Sequence, residues 1–532
     1  MDPLTWTGGF GTFLNPIFQI AVLLFALAVI VQIIGSFVIP TVRGYSADGS
    51  LVIHPITHRI NQAVWYSFLA SLFMIVAYLV LGAILGRGSL GIIGGISQQL
   101  LPVWIALIVI FVVSILFKRS LGLYGKLFDS PIGMIGFGLI MFWVLIAFMG
   151  GALDWIVTHN ELSQVSGMKN KLPGTPLRGA EDGDYPFYLL GGDNLARDVF
   201  SRAVKGSAIV IVIAPAAAVF AFMVGITLGL PAGYYSEPPV TFGKPSFYYT
   251  IGAALAFLVV IVALGAAPDI VILMAILLAI MMWMLTKSAV DTIISFLANL
   301  ILAFPVILLF FLLVTPEIVA TGLPNYMAMI LFIFPVIFVA VLLNSRYHTR
   351  PDIRWWFVGG TTLLMFWFYL AMVSEQGTPV AILPGFLDFI SMPPEILVVF
   401  VSVVFVNSPT VFRIVRGLTL DIKSRDYVAA AQTRGERSWY IMLWEILPNV
   451  RGPLIVDFCL RIGYTTILLG TLGFFGLGLE SESPDWGTTI NAGRRLLSIA
   501  PIPALVPALA LMSLVLGLNL LADGLREESL RD

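Results

Sequence analysis

The stretch that decides the fold is DYVAAAQTRGERSWYIMLWEILPN, residues Asp426 to Asn449, a polar interruption in a largely apolar chain. Its pattern predicts a short helix from Asp426 to Arg434, a break at Gly435, and a second helix that Ser438 caps and Pro448 ends. Two short amphipathic helices joined by a glycine cannot lie in hydrocarbon, because their polar groups would be left without partners. They must lie at the membrane surface or in a groove of another protein, and we favour the groove.

The composition places most of the remaining chain in a membrane. Of 532 residues, 59% are hydrophobic and 11% are charged, whereas a soluble domain has about 25% charged residues. The sequence therefore predicts an all-α polytopic membrane protein. The formal net charge of -1 gives no reason to expect nucleic acid as a partner. Cys459 is the single cysteine, so no disulfide forms within the chain.

Apolar runs long enough to cross a bilayer predict about thirteen transmembrane helices. They lie at about 17–39, 62–86, 101–117, 131–153, 207–233, 248–266, 268–286, 289–314, 325–344, 355–373, 394–417, 453–475 and 501–523. Lys and Arg resist translocation, and most of them share one side if the N-terminus is outside and the C-terminus is inside. We therefore predict that orientation.

Two further polar segments lie on the predicted outer side. Residues 154–206 end in GGDNLARDVFSRAVKGS, which predicts a helix at 193–205 with its charges away from one apolar face. Residues 476–498 contain GLGLESESPDWG, whose Gly and Pro content predicts turns.

The 426–449 segment resembles the EAA loop of binding-protein-dependent ATP-binding-cassette (ABC) importers, in which Glu-Ala-Ala precedes a glycine and a later Leu-Pro. The residues that match this pattern are Ala430, Ala431, Gly435, Leu447 and Pro448. Ala429 stands where the family has glutamate, so one expected charged contact is missing.

Other motifs resemble those of the DppC/OppC-type permeases for dipeptides and oligopeptides. GGDNLARDVFSR resembles their GTDxLGRDVxSR signature, and FFGLGLESESPDWG resembles their FLGLGxxPPxPxWG. The sequence from Asp523 to Arg526 is similar to the family's C-terminal GDGLRD. Four motifs in the family's order are more specific than any one of them.

The resemblance implies a six-helix permease core of the ABC type I importer class. The core helices would be those at 131–153, 207–233, 289–314, 394–417, 453–475 and 501–523. Residues 1–125 would then be an added three-helix unit ahead of a permease region at 126–532. Two added helical hairpins would lie at about 248–286 and 325–373, and we expect the added helices at the periphery of the core.

The resemblance also implies partners. A second homologous permease subunit, two ABC ATPase subunits and an external substrate-binding protein would join this chain in the lipid bilayer of a bacterial or archaeal cytoplasmic (inner) membrane. ATP and Mg would bind the ATPase subunits, so the chain itself would have no cofactor, no metal and no enzymatic activity. The predicted ATPase-coupling residues are Ala430, Ala431, Gly435, Glu436, Arg437, Leu447 and Pro448. An interfacial helix on lipid headgroups is the alternative.

Other candidate residues each have two interpretations. Asp457 and Arg461 lie one helical turn apart within a predicted span, where they either line the translocation path or form a structural pair. Arg197 and Asp198 lie on the predicted 193–205 helix, which either forms a surface where the binding protein docks or steadies the following span.

The PDWG sequence supplies candidates for an external gate. Pro484, Trp486 and Gly487 would line this gate in the family's manner. The alternative is that Trp486 anchors the chain in the aromatic belt at the membrane interface.

Catalytic signatures are absent from the sequence. It contains no P-loop, GxSxG or HExxH motif, and its four histidines are scattered, which predicts neither a catalytic nor a metal site. The leading interpretation is the permease subunit of an ABC importer for dipeptides or oligopeptides. An ion-coupled secondary transporter without ATPase partners is the alternative, supported by the charges of Asp457 and Arg461. Peptide, nickel-complex, opine and glycoside uptake systems share these motifs, so the substrate stays open.

Overall fold

A computed structural model describes residues 2–39, 42–45, 51–177, 185–236, 290–374, 384, 393–477 and 482–529. Within these residues the regular secondary structure is helical, apart from two small antiparallel hairpins. They pair Val42–Tyr45 with Leu51–Ile53, and Thr175–Pro176 with Phe187–Tyr188. The predicted all-α polytopic class is confirmed. The hairpin predicted at 248–286 lies outside the described residues.

The longer helices are numbered in chain order, and short helices of one turn lie between some of them. The numbered helices are α1 (Gly11–Val38), α2 (Pro55–Gln99), α3 (Leu101–Leu116), α4 (Pro131–Ile146, continued by a π-helical turn at Ala147–Ala152), α5 (Val199–Tyr234), α6 (Val290–Leu302), α7 (Val306–Val314), α8 (Leu323–Arg346), α9 (Pro351–Val373), α10 (Pro394–Ile422), α11 (Asp426–Thr433), α12 (Ser438–Tyr440, continued by a π-helical turn at Ile441–Ile446 and by Leu447–Asn449), α13 (Arg451–Phe475), α14 (Trp486–Arg494) and α15 (Ile502–Ser529). The one-turn helices are Lys118–Ser120, Leu123–Lys126, Leu127–Asp129 and Pro316–Ala320.

Nine helices in the described part of the chain are long and apolar enough to cross a membrane. They are α1, α2, α4, α5, α8, α9, α10, α13 and α15. Helices α6 and α7 make a tenth if they count as one span, but they meet at 78°, so the span predicted at 289–314 is a broken one. Pro305 directly precedes α7 and has no backbone N–H to continue the ladder of α6, which explains the break.

The first compact unit comprises Met1–Phe111, Leu145–Gly206 and Ala492–Pro507. It joins the N-terminal helices to the 154–206 segment: the backbone N–H of Leu4 donates to the carbonyl of Gly174 at 2.9 Å. The guanidinium of Arg87 lies 5.1 Å from the ring centre of Tyr185. The unit therefore does not follow the predicted boundary near residue 125, because α2 and the 154–206 segment share packing.

The second compact unit comprises Val112–Val144, Ser207–Asn491 and Ala508–Asp532. Its main core lies between α5, α8 and α10, where the rings of Phe220, Phe332 and Phe400 pack edge to face at 5.1 to 5.5 Å. Helix α8, from the predicted hairpin at 325–373, thus packs directly on α10. A bidentate ion pair from Arg416 of α10 to Asp291 of α6 links two further helices of this unit.

Candidate functional site

The 426–449 segment consists of the two short helices α11 and α12, joined at Gly435. The chain turns there in the left-handed region, with φ of +79° at Gly435, a conformation that glycine adopts without a side-chain penalty. The N–H groups of Gly435 and Glu436 donate to the carbonyls of Gln432 and Ala431, at 3.0 and 3.2 Å. These bonds satisfy the end of α11 and make the turn a defined structure.

One face of the segment is buried in the second unit. Val428 and Ala431 of α11 and Met442 and Ile446 of α12 belong to a single apolar cluster and are almost inaccessible to solvent. The remaining buried members of the cluster are Phe222, Leu230, Val411, Val415, Ile441, Leu443, Val450 and Leu454. The segment therefore packs against α5, α10 and α13 through apolar side chains. Because such packing is close, a displacement of the segment would also displace those helices.

The opposite face of the segment is exposed. Ala430, Gly435, Arg437 and Pro448 are exposed, whereas Glu436 and Leu447 are partly buried. The guanidinium of Arg434 donates to the carboxylate of Glu445 at 2.7 Å, which ties α11 to α12 across this face. Of the predicted coupling residues, Ala431 alone is fully buried.

Two local predictions for α12 are wrong. Ser438 is the first helical residue and Arg437 occupies the cap position, so Ser438 makes no capping hydrogen bond. Pro448 does not end the helix, which continues to Asn449. The π-helical turn at Ile441–Ile446 ends two residues before Pro448, and its wider ladder removes the conflict between a proline and the carbonyl four residues earlier.

The corner between α8 and α9 braces α12, which the sequence analysis missed. The indole N–H of Trp444 donates to the hydroxyl of Ser345 at 3.0 Å, and the guanidinium of Arg346 lies 4.8 Å from the ring centre of Trp444. The ring of His348 meets that of Tyr440 at 5.7 Å. The residues are about a hundred positions apart in the chain, so no local spacing could reveal these contacts.

Asp457 and Arg461 face each other on α13. The Nε atom of Arg461 donates to Asp457 at 3.4 Å, and each side chain is 15% exposed. This is the intrahelical pair that the structural interpretation expects. A role of either residue in the translocation path stays a prediction.

The PDWG sequence begins α14 within the second unit. Asp485 accepts a hydrogen bond from the N–H of Thr488 at 3.1 Å, which caps this helix. Trp486 is fully buried, with Trp143 edge to face at 5.0 Å, so the interpretation of Trp486 as an aromatic-belt anchor is wrong. Gly487 is also buried, and a Cβ atom there would lie 2.2 Å from the carbonyl oxygen of Gly470. The gate role of Pro484, Trp486 and Gly487 stays a prediction.

The helix predicted at 193–205 begins later, at Val199, and is continuous with the following span. Arg197 and Asp198 precede it and are buried, so the interpretation as an exposed docking surface is wrong. Asp193 accepts from the N–H groups of Leu195 and Arg197 and from Nε of Arg197, at 2.8 to 2.9 Å, and thereby fixes a turn in place of the first helical turns.

The carboxylate of Asp198 organises the next hydrogen-bond network in the first unit. It accepts from the hydroxyls of Thr158 and Ser201 at 2.7 and 2.6 Å, and it lies 3.3 Å from the ring of His159. Burial raises the pKa of Tyr188 above its ordinary value, and the negative charge of Asp198 raises it further. These residues hydrogen-bond to one another, as residues with a structural role do.

Comparison with known proteins shows that the 426–449 segment lies in a region similar to a known family. Residues 354–527 match the family model described as the binding-protein-dependent transport system inner membrane component. This part of the chain is similar to the permeases of that family. The matched region includes the 426–449 segment, Asp457, Arg461 and the PDWG sequence, and it begins within α9. The predicted resemblance to the permeases of binding-protein-dependent ABC importers is confirmed over this part of the chain.

Curated relatives agree with this assignment. The glutathione transport system permease protein GsiD of Pectobacterium atrosepticum is 40% identical over 129 residues, which cover 24% of this chain and 43% of the relative. The protein of the same name from Shigella flexneri serotype 5b is 39% identical over the same length. The chain thus matches less than half the length of these relatives.

Proposed function

We propose that this chain is one permease subunit of an ABC importer for small peptides, that it forms half of the translocation path, and that it couples to an ATPase through the 426–449 segment. The observation that carries the proposal is the two-sided build of this segment within a matched permease domain. A buried face holds it to the transmembrane helices, and an exposed face carries Ala430, Arg437 and Pro448. An element that transmits motion between two proteins needs both faces.

The proposed mechanism uses the rigidity of this segment. Closure of ATPase subunits on ATP and Mg would displace α11 and α12 together, because the Arg434 to Glu445 ion pair and the turn at Gly435 hold them as one body. The apolar cluster around Val415 and Met442 would pass the displacement to α10 and α5. The chain itself would contribute no catalytic group and no cofactor.

Small peptides are the substrates that the relatives favour. The relatives are named for glutathione, which is a tripeptide, and the motifs at 191–202 and 474–487 resemble those of dipeptide and oligopeptide permeases. The proposed complex contains a second homologous permease, two ATPase subunits and an external binding protein. It would lie in a bacterial or archaeal cytoplasmic membrane.

Co-purification after mild detergent extraction tests this proposal, with the substitution Ala430→Trp as the probe. The wild-type chain should bring ATPase subunits with it. Ala430 is exposed, so a tryptophan there leaves the core of this chain intact but overpacks a groove that receives α11. We expect ATPase recovery to fall by roughly tenfold or more, since overpacking costs about 1–3 kcal/mol.

The matched control is Ala152→Trp, which changes an exposed alanine at the end of α4, on the predicted outer side. It should leave ATPase recovery unchanged. Loss in both variants would point to misfolding and not to a contact at Ala430. If the wild-type chain brings no ATPase under conditions that preserve complexes, the ion-coupled transporter becomes the better interpretation.

A further inference from the structure

A groove runs along the outside of the hairpin formed by α8 and α9 in the second unit. Its volume is about 560 Å³. The residues that line it are Ala340, Val341, Asn344, Arg354, Trp355, Val358, Gly359, Thr362, Leu363 and Phe366. Trp355 and Leu363 are among the most exposed side chains of the hairpin, at 78% and 73%, so the groove faces away from the core of the unit.

The charged and amide side chains of the groove lie at one end only. Asn344 lies in the last turn of α8 and Arg354 in the first turn of α9, so both belong to the end of the hairpin next to the connection at 347–350. Arg350 is exposed in that connection. Among the described residues, no carboxylate lies within ion-pair distance of Arg350 or Arg354, and the one acidic side chain nearby in sequence, Asp352, is exposed. This end of the groove therefore carries a positive charge available to a ligand.

Apart from Thr362, the rest of the groove is an apolar trough of defined length. From Arg354 to Phe366 the lining residues of α9 span twelve positions, or about 18 Å at 1.5 Å per residue. One leaflet of a bilayer has a hydrocarbon depth of about 15 Å, half of the whole core. Gly359 forms part of the trough floor, and a Cβ atom built there meets no other atom within 4 Å.

We propose that this groove binds one anionic phospholipid, with the phosphate at Arg354 and Arg350 and an acyl chain along the trough past Gly359. A cationic end joined to an apolar trough one leaflet long complements an amphiphile with a negative head. Trp355 lies beside Arg354 in the groove lining, and tryptophan is a residue that membrane proteins place at the headgroup level. Basic residues near a membrane surface attract anionic lipids by charge, and here two arginines would act on the same phosphate.

Photocrosslinking of the full chain in lipid nanodiscs tests the proposal. The nanodiscs consist of phosphatidylcholine with a small fraction of a probe that carries a diazirine in its acyl chain, either a phosphatidylglycerol or a phosphatidylcholine. Peptide mapping then measures the label on residues 340–366. We expect the phosphatidylglycerol probe to label the groove several-fold more strongly than the phosphatidylcholine probe, and Arg354→Gln to reduce that preference about fivefold.

A pair of neighbouring glycines provides the matched controls. Gly359→Leu fills the trough, whereas Gly360→Leu adds the same side chain to the same helix at a position that does not line the groove and is also free of atoms within 4 Å. Gly359→Leu should abolish groove labelling by both probes, and Gly360→Leu should leave it as in the wild type. Equal labelling by the two probes in the wild type would show ordinary boundary lipid and overturn the proposal. Labelling that survives Gly359→Leu, or a groove that neither probe labels because protein covers it, would overturn it as well.

Discussion

At the scale of single residues, Gly435 shows how a backbone requirement defines the coupling segment. Its φ of +79° suits glycine, and a Cβ atom there would touch nothing, so the cost of a side chain is conformational alone. We expect Gly435→Ala to destabilise the turn by about 1–2 kcal/mol, and thus to speed amide hydrogen exchange across 426–449 by roughly 5- to 30-fold.

Gly417 is the matched control for this substitution. It lies inside α10, and its Cβ position is equally free of contacts, but its backbone is helical. Gly417→Ala should therefore be neutral or stabilise α10 by about 0.5–1 kcal/mol. If both alanine variants exchange at the wild-type rate, the turn at Gly435 does not require glycine.

At the scale of secondary-structure elements, α8 and α12 form a pair that has to move together. The Trp444 to Ser345 hydrogen bond and the stacking of Arg346 on Trp444 join the end of α8 to the middle of α12. A double-mutant cycle with Trp444→Phe and Ser345→Ala should give a coupling free energy of about 1 kcal/mol in thermal unfolding. A cycle with Trp439→Phe and Ser345→Ala should be additive, because among the described residues it is Trp444 and not Trp439 that hydrogen-bonds to Ser345. Coupling of equal size in both cycles would contradict the brace.

Most of the helices were predictable from the sequence, whereas the points where helices break or begin were less predictable. Apolar runs located the described spans because hydrocarbon demands a long apolar helix. The break at Pro305 and the late start of α5 at Val199 depend on local hydrogen bonds, such as those to Asp193, that compete with a continuous helix. The burial of Trp486 was not predictable, since its partner Trp143 is far away in the chain.

At the scale of the whole molecule, two separately described units divide the chain, and the first one depends on a close approach at Gly95. A Cβ atom there would lie 2.7 Å from Leu189 and 3.0 Å from the hydroxyl of Tyr185. We expect Gly95→Leu to loosen the 154–206 segment and to make it several-fold more sensitive to limited proteolysis, because overpacking costs about 1–3 kcal/mol.

Gly88 offers the same substitution without the clash. It lies in α2 as well, and nothing approaches its Cβ position within 4 Å. Gly88→Leu should leave the cleavage rate of 154–206 unchanged. Equal protection of that segment in the Gly95→Leu variant would mean that the N-terminal helices do not hold it in place.

The sequence motif located the candidate site, but it did not show which residues of the site contact the other helices. The sequence placed Ala430, Ala431, Gly435 and Pro448 in one segment, because a polar interval between apolar spans is unmistakable. It did not divide them into buried and exposed residues, which depends on α5 and α10, far away in the chain.

The wide turn at Ile441–Ile446 affects how this segment tolerates changes in chain length. A π-helical turn accommodates one residue more than an α-helical turn, while the helix on either side keeps its direction. Removal of one residue within this turn would restore ordinary spacing and keep the flanking side chains on the same face, although the conflict at Pro448 would return. The same deletion elsewhere in α12 would rotate everything beyond it by about 100° and turn the apolar stripe away from its neighbours. Insertions and deletions in this part of the chain should therefore be confined to a single short window.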